Sequence, residues 1–370
     1  LAASILLDRP PPLRLDGPFP AVSLVVAAYN EEGGIEEALA YALRQDYPGG
    51  LEIVVADDGS TDSTREIVRC RAARDRRIRL LELPHQGKAA ALNAALATTD
   101  APLVATIDAD TLLMPFALRR AVGRLMAAPA STVAVAGAVL VRNSRSNILA
   151  RVQEWDYFLG ISAVKRQQAL LQGTLVAQGA FSVYDRKALQ EAGGWPDRIG
   201  EDIVLTWSLI SKGGLTTFEP TAVAFTDVPV TFRTFRRQRQ RWARGMIEGL
   251  RDHGVDLLGQ RRIHAHSVGA NFLFPYLDGV YTCAFLPGAA LALTGNFAVV
   301  GPLTLAVLPL STLVAGIMFW RQRKAFSEVG LRVRRNVFGF AVYMVLYPAV
   351  LAPISFAGYL KELAGARRAW

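Results

Sequence analysis

The sequence is poor in the residues that form disulfides and zinc centres. Its 370 residues include two cysteines, Cys70 and Cys283, and four histidines. We place Cys70 in a helix of a soluble domain and Cys283 in a membrane helix. We therefore expect no disulfide between them and a reducing compartment around the soluble part. The histidines are scattered along the chain, which argues against a zinc enzyme.

The sequence motifs of two large nucleotide-binding classes are also missing. No G-x-x-x-x-G-K-[ST] pattern and no G-x-G-x-x-G pattern opens a strand–helix unit. This absence argues against a P-loop NTPase and against a Rossmann dehydrogenase, because both classes bind phosphates through such glycine-rich turns. Any nucleotide bound by this chain must therefore be held in another way.

The charge of the chain is unbalanced, with a formal net charge of +9. Much of the excess lies in 233–262 and 321–335, beside long apolar stretches. No zinc-finger spacing and no aromatic–basic RNA motif accompanies it, so we expect no nucleic-acid partner. An anionic membrane face is the simpler partner for basic segments at these positions.

Apolar residues make up 51% of the chain and concentrate beyond residue 262. Three stretches approach the ~20 residues that cross a hydrocarbon core. They lie at about 269–293, 297–319 and 337–360. The basic segment between the second and third predicts a cytoplasmic loop, and hence a cytoplasmic catalytic domain in a multi-pass protein of a bacterial-type inner membrane. Pro348 and Pro353 leave open whether the third stretch crosses fully.

Composition divides the chain into four parts. The lead-in is rich in proline, and its apolar start is too short to span a bilayer but fits the end of a truncated span. The predicted parts are the lead-in at 1–20, an α/β domain at 21–230, basic interfacial helices at 231–266 and a membrane region at 267–370.

Short β-branched runs alternate with helical stretches in the α/β domain. The first five predicted strands are 22–28, 51–56, 77–83, 103–107 and 133–141, and the helices between them are 35–45, 62–73, 88–97 and 115–127. The later elements are a helix at 147–170, a strand at 174–184, a helix at 203–211, a strand at 216–225 and a helix at 232–252. This alternation predicts an α/β fold with a mostly parallel sheet covered on both faces. Ligands of such sheets bind at the carboxyl ends of the strands.

Four loops that come after predicted elements carry carboxylates. They are Tyr29-Asn30-Glu31-Glu32, Asp57-Asp58-Gly59-Ser60-Thr61-Asp62, Asp108-Ala109-Asp110 and Gly200-Glu201-Asp202. Any one of them alone is compatible with a turn or a helix cap, as Asp62 illustrates. Several at one sheet edge repel each other unless a cation or a proton compensates, so together they point to a shared ligand site.

The D-x-D sequence at Asp108 and Asp110 is the sharpest of these signals. It comes directly after a buried predicted strand, so two hard oxygen ligands stand side by side in the ligand crevice. Such a pair suits Mg²⁺ or Mn²⁺, which bind few protein carboxylates and keep positions for diphosphate oxygens. The alternative is a solvated turn, and we favour the metal site.

Three further segments suit an anionic ligand or proton transfer. Gly87-Lys88 opens a predicted helix, where a phosphate is favoured. Glu201-Asp202 also opens a helix, so a carboxylate there serves either as a proton acceptor or as an ordinary acidic first turn. On the basic helix Arg241 offers paired donors to phosphate and Trp242 a flat face to a sugar ring. A basic membrane-surface helix with an interfacial tryptophan has the same pattern.

In this order the motifs resemble those of the inverting family 2 glycosyltransferases. The likeness is to the processive membrane synthases of cellulose, chitin, hyaluronan and poly-N-acetylglucosamine. The motif of Gln238, Arg241 and Trp242 resembles the mark of polymer-forming members. The residues IVLTW at 203–207 and Trp242-Ala243-Arg244-Gly245 look most like the poly-N-acetylglucosamine group. One departure is Gly200, where many relatives have threonine.

The resemblance implies a GT-A fold, a UDP-sugar donor, a growing polysaccharide acceptor, and Mg²⁺ or Mn²⁺. It implies a general base at Asp202 beside Glu201, and a metal and diphosphate site at Asp108 and Asp110, with Asp110 the more direct ligand. Asp57 or Asp58 would hold the uridine of the donor, and Gln238 and Arg241 its pyrophosphate. The other implied donor contacts are Tyr29, Asn30, Glu31 and Lys88. The implied acceptor contacts are Trp242 and the loop of Gln178, Gly179 and Phe181.

The predicted function is polymerisation of a β-linked polysaccharide from a UDP-sugar, with UDP-N-acetylglucosamine preferred, and export through the membrane helices. A small membrane partner subunit is left open. Three alternatives remain: a β-glucan synthase that uses UDP-glucose, a transferase of single sugars to a lipid phosphate carrier, and a non-catalytic membrane partner or export subunit.

Overall fold

The computed structural model of the protein describes residues 11–170, 173–260 and 265–366. An eight-stranded sheet forms its centre. The first ten residues of the lead-in, Arg262 and the basic pair Arg367 and Arg368 lie outside these ranges. The strands are β1 (Val22–Ala28), β2 (Leu51–Asp57), β3 (Ile78–Glu82), β4 (Leu103–Asp108), β5 (Leu112–Leu113), β6 (Thr132–Val141), β7 (Phe181–Asp185) and β8 (Leu215–Thr226).

The spatial order of the strands is β3-β2-β1-β4-β7-β6-β8-β5. The first four neighbours are parallel, as the alternation of strands and helices predicts. β7 runs antiparallel to both β4 and β6, so the sheet is mixed beyond its first half. The predicted strand at 174–184 was too long, because only Phe181–Asp185 pairs with its neighbours and the preceding residues form a loop.

Helices cover both faces of the sheet. In the α/β domain they are α1 (Ile35–Leu43), α2 (Thr64–Ala72), α3 (Lys88–Ala97), α4 (Ala117–Ala127), α5 (Ile148–Trp155), α6 (Val164–Leu170), α7 (Arg186–Ala192) and α8 (Glu201–Ser211). A π-helical segment, Asp156–Ala163, joins α5 and α6, so the predicted helix at 147–170 is continuous but changes its pitch in the middle. α7 was not predicted, and Gly193 in the left-handed conformation ends it.

Alternate side chains of β1 face two separate cores. Leu24 and Val26 pack with α1, α2 and α4 on one face. Val25 packs with α3, and also with Trp195, on the other face. Because each face is apolar and covered, the strands are buried on both sides, as in other parallel sheets with helical crossovers.

The helices after the sheet are α9 (Phe232–Gly249), α10 (Val255–Gly259), α11 (Ala265–Val280), α12 (Leu286–Ala292), α13 (Val307–Glu328), α14 (Val337–Val345) and α15 (Tyr347–Leu363). Among the described residues, Pro302–Glu328 is long and apolar enough to cross a membrane, with a mean hydropathy of 2.0. α14 and α15 together also qualify, but they meet at an angle of 51°. The first of the three expected spans does not reach this standard, so the three-span topology stays a prediction.

The last helix packs directly on the basic helix α9. A Cβ placed on Gly358 would lie 2.8 Å from the Cβ of Ala243 and 3.0 Å from the carbonyl oxygen of Gln240. In the same interface Arg244 donates from Nε to Glu362 over 2.8 Å, and both side chains are buried. The C-terminal helices are thus tied to α9, which carries three of the predicted site residues.

Candidate active site at the carboxyl edge of the sheet

The loops after β1 and β2 are joined to each other at the edge of the sheet. Asn30 has a φ of 56°, and its side-chain oxygen accepts a hydrogen bond from the Thr61 amide over 2.8 Å. Asp62 accepts from the Glu32 amide over 3.1 Å, and Glu32 accepts from the Ser63 amide over 3.0 Å. Tyr29, which is 43% exposed, stacks on His85 with their ring centroids 4.2 Å apart.

The two aspartates predicted to hold uridine both have partners within the protein. Asp57 is fully buried, and its carboxylate accepts from Arg65 Nε over 2.5 Å and from the Ser60 amide. Asp58 accepts from the amides of Gln86 and Gly87 over 2.7 and 2.9 Å. Asp57 therefore shapes the loop, and Asp58 fixes the turn that precedes α3.

The turn before α3 delivers Lys88 to the centre of the site. Gly87 has a φ of 94°, a conformation that glycine adopts without strain. Lys88 Nζ lies 2.5 Å from Asp108 Oδ1 and 3.4 Å from Glu201 Oε1. Burial lowers the pKa of Lys88, but Asp108 and Glu201 outweigh burial and hold that pKa above its ordinary value. Lys88 thus stays charged and links the loops after β4 and before α8.

Carboxylates crowd the end of β4. Burial and then the charge of Asp108 raise the pKa of Asp110 to about 6. Burial, followed by Asp110 and Asp108, raises the pKa of Glu31 to about 7. Thr226, at the end of β8, donates to Asp110 over 3.3 Å. The parallel register brings these groups together, since Asp108 pairs with Ala27 near the end of β1.

The D-x-D residues fit a divalent cation through their chemistry. Within the ranges that the structure describes, no group of three or more histidine, cysteine, aspartate or glutamate side chains is arranged around one ion position. Mg²⁺ and Mn²⁺ need only one or two protein carboxylates when diphosphate oxygens complete the shell. Burial, and then the charge of Asp108, disfavours the ionised form of Asp110, and a bound cation would favour that form.

Two glycines bring the predicted base to the site. A Cβ placed on Gly200 would lie 2.5 Å from the Cα of Gly245 in α9, and the reverse distance is 2.6 Å. The Gly200 amide also donates to buried Glu248 over 3.0 Å. This backbone contact places Glu201 and Asp202 at the first turn of α8, facing the end of α9. Burial raises the pKa of Glu201, while Lys88 opposes that rise.

The loop before β7 lies beside the predicted base. The Gly179 amide donates to Asp202 Oδ2 over 3.4 Å, and a Cβ on Gly179 would lie 2.9 Å from Lys88 Nζ. Gln178 accepts a hydrogen bond from buried Lys165 and donates to the Gly137 carbonyl over 2.8 Å. Phe181 does not face this site. Its ring is fully buried in the sheet core, which corrects its assignment as an acceptor contact.

The helix α9 presents the remaining predicted residues. Gln238 has a buried Oε1 without a hydrogen-bond partner among the described residues. Arg241 is close enough to influence the charges of Lys88 and Glu201. Trp242 is 38% exposed and stacks with Arg239, whose Cζ lies 4.1 Å from its ring centroid. Arg239 is itself buried and paired with Asp156 at 2.9 Å.

Sequence reasoning gave no site role to three residues: Arg239, Asp156 and Gly245. Asp156 offered a signal, because it is a lone carboxylate in the apolar segment 155–163. Arg239 lies between Gln238 and Trp242 in the motif, but its basic neighbours suggested an exposed helix face rather than a buried side chain. Gly245 offered the weak signal of a glycine within a helix, where glycine costs about 1 kcal/mol relative to alanine.

The cationic and acidic side chains at this edge of the sheet suit a nucleotide sugar. Residues 23–193 match the family model described as Glycosyl transferase family 2. This finding confirms the resemblance that the motifs suggest.

Two relatives are similar to the chain over roughly two thirds of its length. The chain is 31% identical over 245 residues to the poly-beta-1,6-N-acetyl-D-glucosamine synthase of Staphylococcus aureus, an alignment that covers 66% of this chain and 58% of the relative. It is 33% identical over 231 residues to the synthase of the same name from Staphylococcus epidermidis, with 62% and 55% covered. The chain therefore spans less than two thirds of the length of these relatives.

Two solved structures share the fold. A mannosyltransferase from Pyrobaculum calidifontis in complex with GDP-Man and Mn²⁺ superposes with a TM-score of 0.64 at 20% identity, over 99% of this chain and 93% of that one. S. aureus TarS in complex with UDP-GlcNAc superposes with a TM-score of 0.51 at 16% identity, over 94% and 93%. At these identities the likeness establishes the GT-A-like fold alone.

Proposed function

We propose that this chain polymerises a β-linked polysaccharide from a UDP-sugar, with UDP-N-acetylglucosamine as the preferred donor. The observation that carries the proposal is the meeting of Lys88, Asp108, Asp202 and Arg241 at one edge of the sheet. Cationic side chains that can bind phosphate lie close to a candidate base, as a direct transfer from a nucleotide sugar requires. The name shared by the two staphylococcal relatives supports the choice of sugar.

The reaction is a one-step displacement that inverts the anomeric carbon. Asp202 accepts the proton of the acceptor hydroxyl as that oxygen attacks. Its orientation is set by hydrogen bonds from the Ile203 amide over 2.8 Å and from the Gly179 amide. No covalent sugar–enzyme intermediate is required, since the leaving group departs from the opposite face.

The cationic side chains of the site stabilise the negative charge on the departing diphosphate. Lys88 lies at the N-terminus of α3, where the helix dipole also favours an anion. Arg241 offers a guanidinium from α9, and paired donors of this kind suit phosphate. Mg²⁺ or Mn²⁺ held by Asp110 and Asp108 would neutralise further charge when it is bound.

The growing polymer lies against Trp242, whose exposed face suits a sugar ring. Gly179 donates to Asp202, and with Gln178 it belongs to the loop proposed to contact the acceptor sugar. The candidate membrane helix Pro302–Glu328 and the bent pair α14–α15 support residence in a membrane, with export of the product through that region. The interfacial and membrane parts at 231–266 and 267–370, and a cytoplasmic active site, belong to this proposal.

The test is UDP release by purified membranes with Mg²⁺ or Mn²⁺ against a panel of UDP-sugars, together with sizing of the product. A long polymer from UDP-N-acetylglucosamine is expected. Turnover of UDP-glucose instead would move the protein to the glucan branch, and addition of a single sugar would exclude processive synthesis.

Two variants distinguish a catalytic role of Asp202 from a structural one. Asp202→Asn keeps the shape of the side chain and should lower UDP release by about 100-fold or more, the scale of general-base catalysis. Asp197→Asn, on an exposed loop shortly before α8, is the matched control and should leave turnover unchanged. Near-normal turnover in the Asp202 variant would refute the assignment of the base.

A further inference from the structure

A lysine is buried behind the candidate active site without an acidic partner. Lys165 lies on α6 and is 6% exposed. It forms no ion pair with any residue that the structure describes, and its Nζ donates to one side chain, at Gln178 Oε1. Burial of an amine beside a single neutral partner is costly, and it lowers the pKa of Lys165 to about 7. Costs of this kind are typical of functional sites.

The proposed base is the charged group that acts on Lys165. Asp202 attracts the charged form of Lys165 and so opposes the effect of burial on the pKa of that lysine. The attraction is mutual, so a cation at Lys165 also stabilises the carboxylate of Asp202. Lys165 acts on this carboxylate from α6, whereas Lys88 lies beside Glu201 at the start of α8. The two lysines therefore act on the site from different elements.

Hydrogen bonds attach the residues on both sides of Gln178 to the helix that carries the base. The Gly179 amide donates to Asp202 Oδ2 over 3.4 Å. The Ala177 amide donates to the Thr206 hydroxyl over 2.9 Å, and that hydroxyl donates to the Asp202 carbonyl over 2.6 Å. The three residues 177–179 form the acceptor loop, which is thus joined to the first two turns of α8.

Both polar atoms of the Gln178 side chain have partners within the protein. Its Oε1 accepts from Lys165, and its Nε2 donates to the Gly137 carbonyl of β6 over 2.8 Å. The Gln178 carbonyl also accepts from the Ser182 hydroxyl over 2.8 Å. Because a lysine ammonium only donates, Lys165 determines which end of the Gln178 amide points at α6. Without it the amide is free to turn over and lose its bond to β6.

The acceptor loop has little room to move beside the site. A Cβ placed on Gly179 would lie 2.9 Å from Lys88 Nζ and 3.7 Å from Glu201 Oε1. Gly179 thus lies between the lysine proposed to bind diphosphate and the proposed base. A misplacement of about 1 Å at such a position lowers a rate by up to about 100-fold. A residue that fixes this loop therefore affects the transfer step.

We propose that Lys165 is a positioning residue for the transfer reaction, which holds the acceptor loop against Asp202 by acting through Gln178. The inference rests on the proposed function, in which Asp202 is the base and this loop contacts the acceptor sugar. Packing alone does not explain Lys165, because an apolar side chain of similar length would fill the same space at a lower cost.

Hydrogen exchange tests the positioning without any substrate. Lys165→Met keeps the length of the side chain and removes its charge. It should accelerate exchange in the peptide that carries the amides of Ala177 and Gly179 about tenfold, the effect of losing one hydrogen bond to a charged group. Gln178→Met breaks the same link from the other side and should do the same. Lys187→Met, at an exposed position of α7, is the matched control and should leave that exchange unchanged.

Kinetics separates a positioning role from a structural one. With an added oligosaccharide of β-linked N-acetylglucosamine as acceptor, Lys165→Met should lower kcat by about 10- to 100-fold and raise the acceptor KM. The KM for the UDP-sugar should stay unchanged, because Lys88 and Arg241 are untouched. The melting temperature should not fall, since a buried amine is removed. The double variant with Gln178→Met should lose no more than either single variant, because both changes break one link.

Unchanged exchange in Lys165→Met would overturn the proposal, as would losses that multiply in the double variant. UDP release by the unmodified chain tests the proposed function separately. If that chain releases no UDP while exchange is faster in Lys165→Met, the attachment of the loop stands and the proposed function fails. Normal turnover in both the unmodified chain and Lys165→Met would leave the function standing and refute the positioning role.

Discussion

Arg239 lies with its guanidinium carbon 4.1 Å from the ring centroid of Trp242, and it is buried against Asp156 at 2.9 Å. The exposed tryptophan of α9 is therefore held from behind by an ion pair that reaches from the π-helical segment. Cation–π contacts of this kind are worth about 2 kcal/mol when they are desolvated. Arg239 is a positioning residue for the proposed acceptor platform.

Replacement of Arg239 by methionine should shorten the product and raise the acceptor KM more than it lowers kcat. It should also destabilise the fold, by roughly 3–5 kcal/mol, because Asp156 is left buried without a partner. Asp156→Asn in the same chain should recover the stability but not the product length. Arg236→Met, at an exposed position of the same helix, is the control. Product length is read on gels and stability by denaturant unfolding.

Replacement of Gly200 by alanine should disrupt the approach of α8 to α9. The added Cβ would lie 2.5 Å from the Gly245 Cα, and backbone atoms yield little. Overpacking of this kind costs about 1–3 kcal/mol. Both the melting temperature and UDP release should fall. Gly259→Ala, which meets open space, should change neither property. A Gly200 variant with normal turnover would show that the close approach is dispensable.

Asp110→Asn should abolish the dependence of turnover on Mg²⁺ or Mn²⁺, with a loss of UDP release of at least about 100-fold. Chelation of the metal should have the same effect on the unmodified chain. Asp100→Asn, on an exposed turn before β4, should retain both turnover and metal response. Unchanged activity in excess chelator would contradict the metal assignment for Asp108 and Asp110.

Lys165 should make the fold more stable at alkaline pH. Burial lowers the pKa of Lys165 to about 7. Between pH 7 and the ordinary lysine value of about 10.4 the unfolded chain therefore binds the extra proton, and stability rises with pH. The rise from this group is at most about 1.4 kcal/mol per pH unit. Denaturant unfolding at pH 7 and pH 9 should show it in the chain and in Lys187→Met, an exposed control, but not in Lys165→Met.

The parallel half of the sheet and its helices were predictable from sequence. Apolar strands such as Val22–Ala28 form a parallel sheet covered by helices when helical stretches separate them. The start of α3 at Lys88 was also predicted correctly. The loops at the strand ends then gathered Asp108 and Lys88 as expected. The hydrophobic periodicity of each segment is enough to predict its type, and hence the loops at the strand ends.

Tertiary contacts account for the features that were missed. Phe181 was assigned to the acceptor site because it follows Gln178 and Gly179 in a motif that resembles an acceptor loop, yet pairing with β4 buries its ring. The Gly200–Gly245 contact joins residues far apart in sequence, so the glycine within α9 gave no indication of its partner. The break between α14 and α15 falls next to Pro348, one of the two prolines that left the third span open, but apolar composition gives no measure of its angle of 51°.

The contact of Gly358 with α9 has a mechanical consequence. The backbone of Gln240 and the side chain of Ala243 touch the last helix with no flexible side chain between them. A force along α15, from a polymer drawn outward or from a thicker bilayer, would be transmitted to Gln238 and Arg241 as a displacement. Under the proposed function, the rate at which each sugar is added would then respond to tension on the product already made.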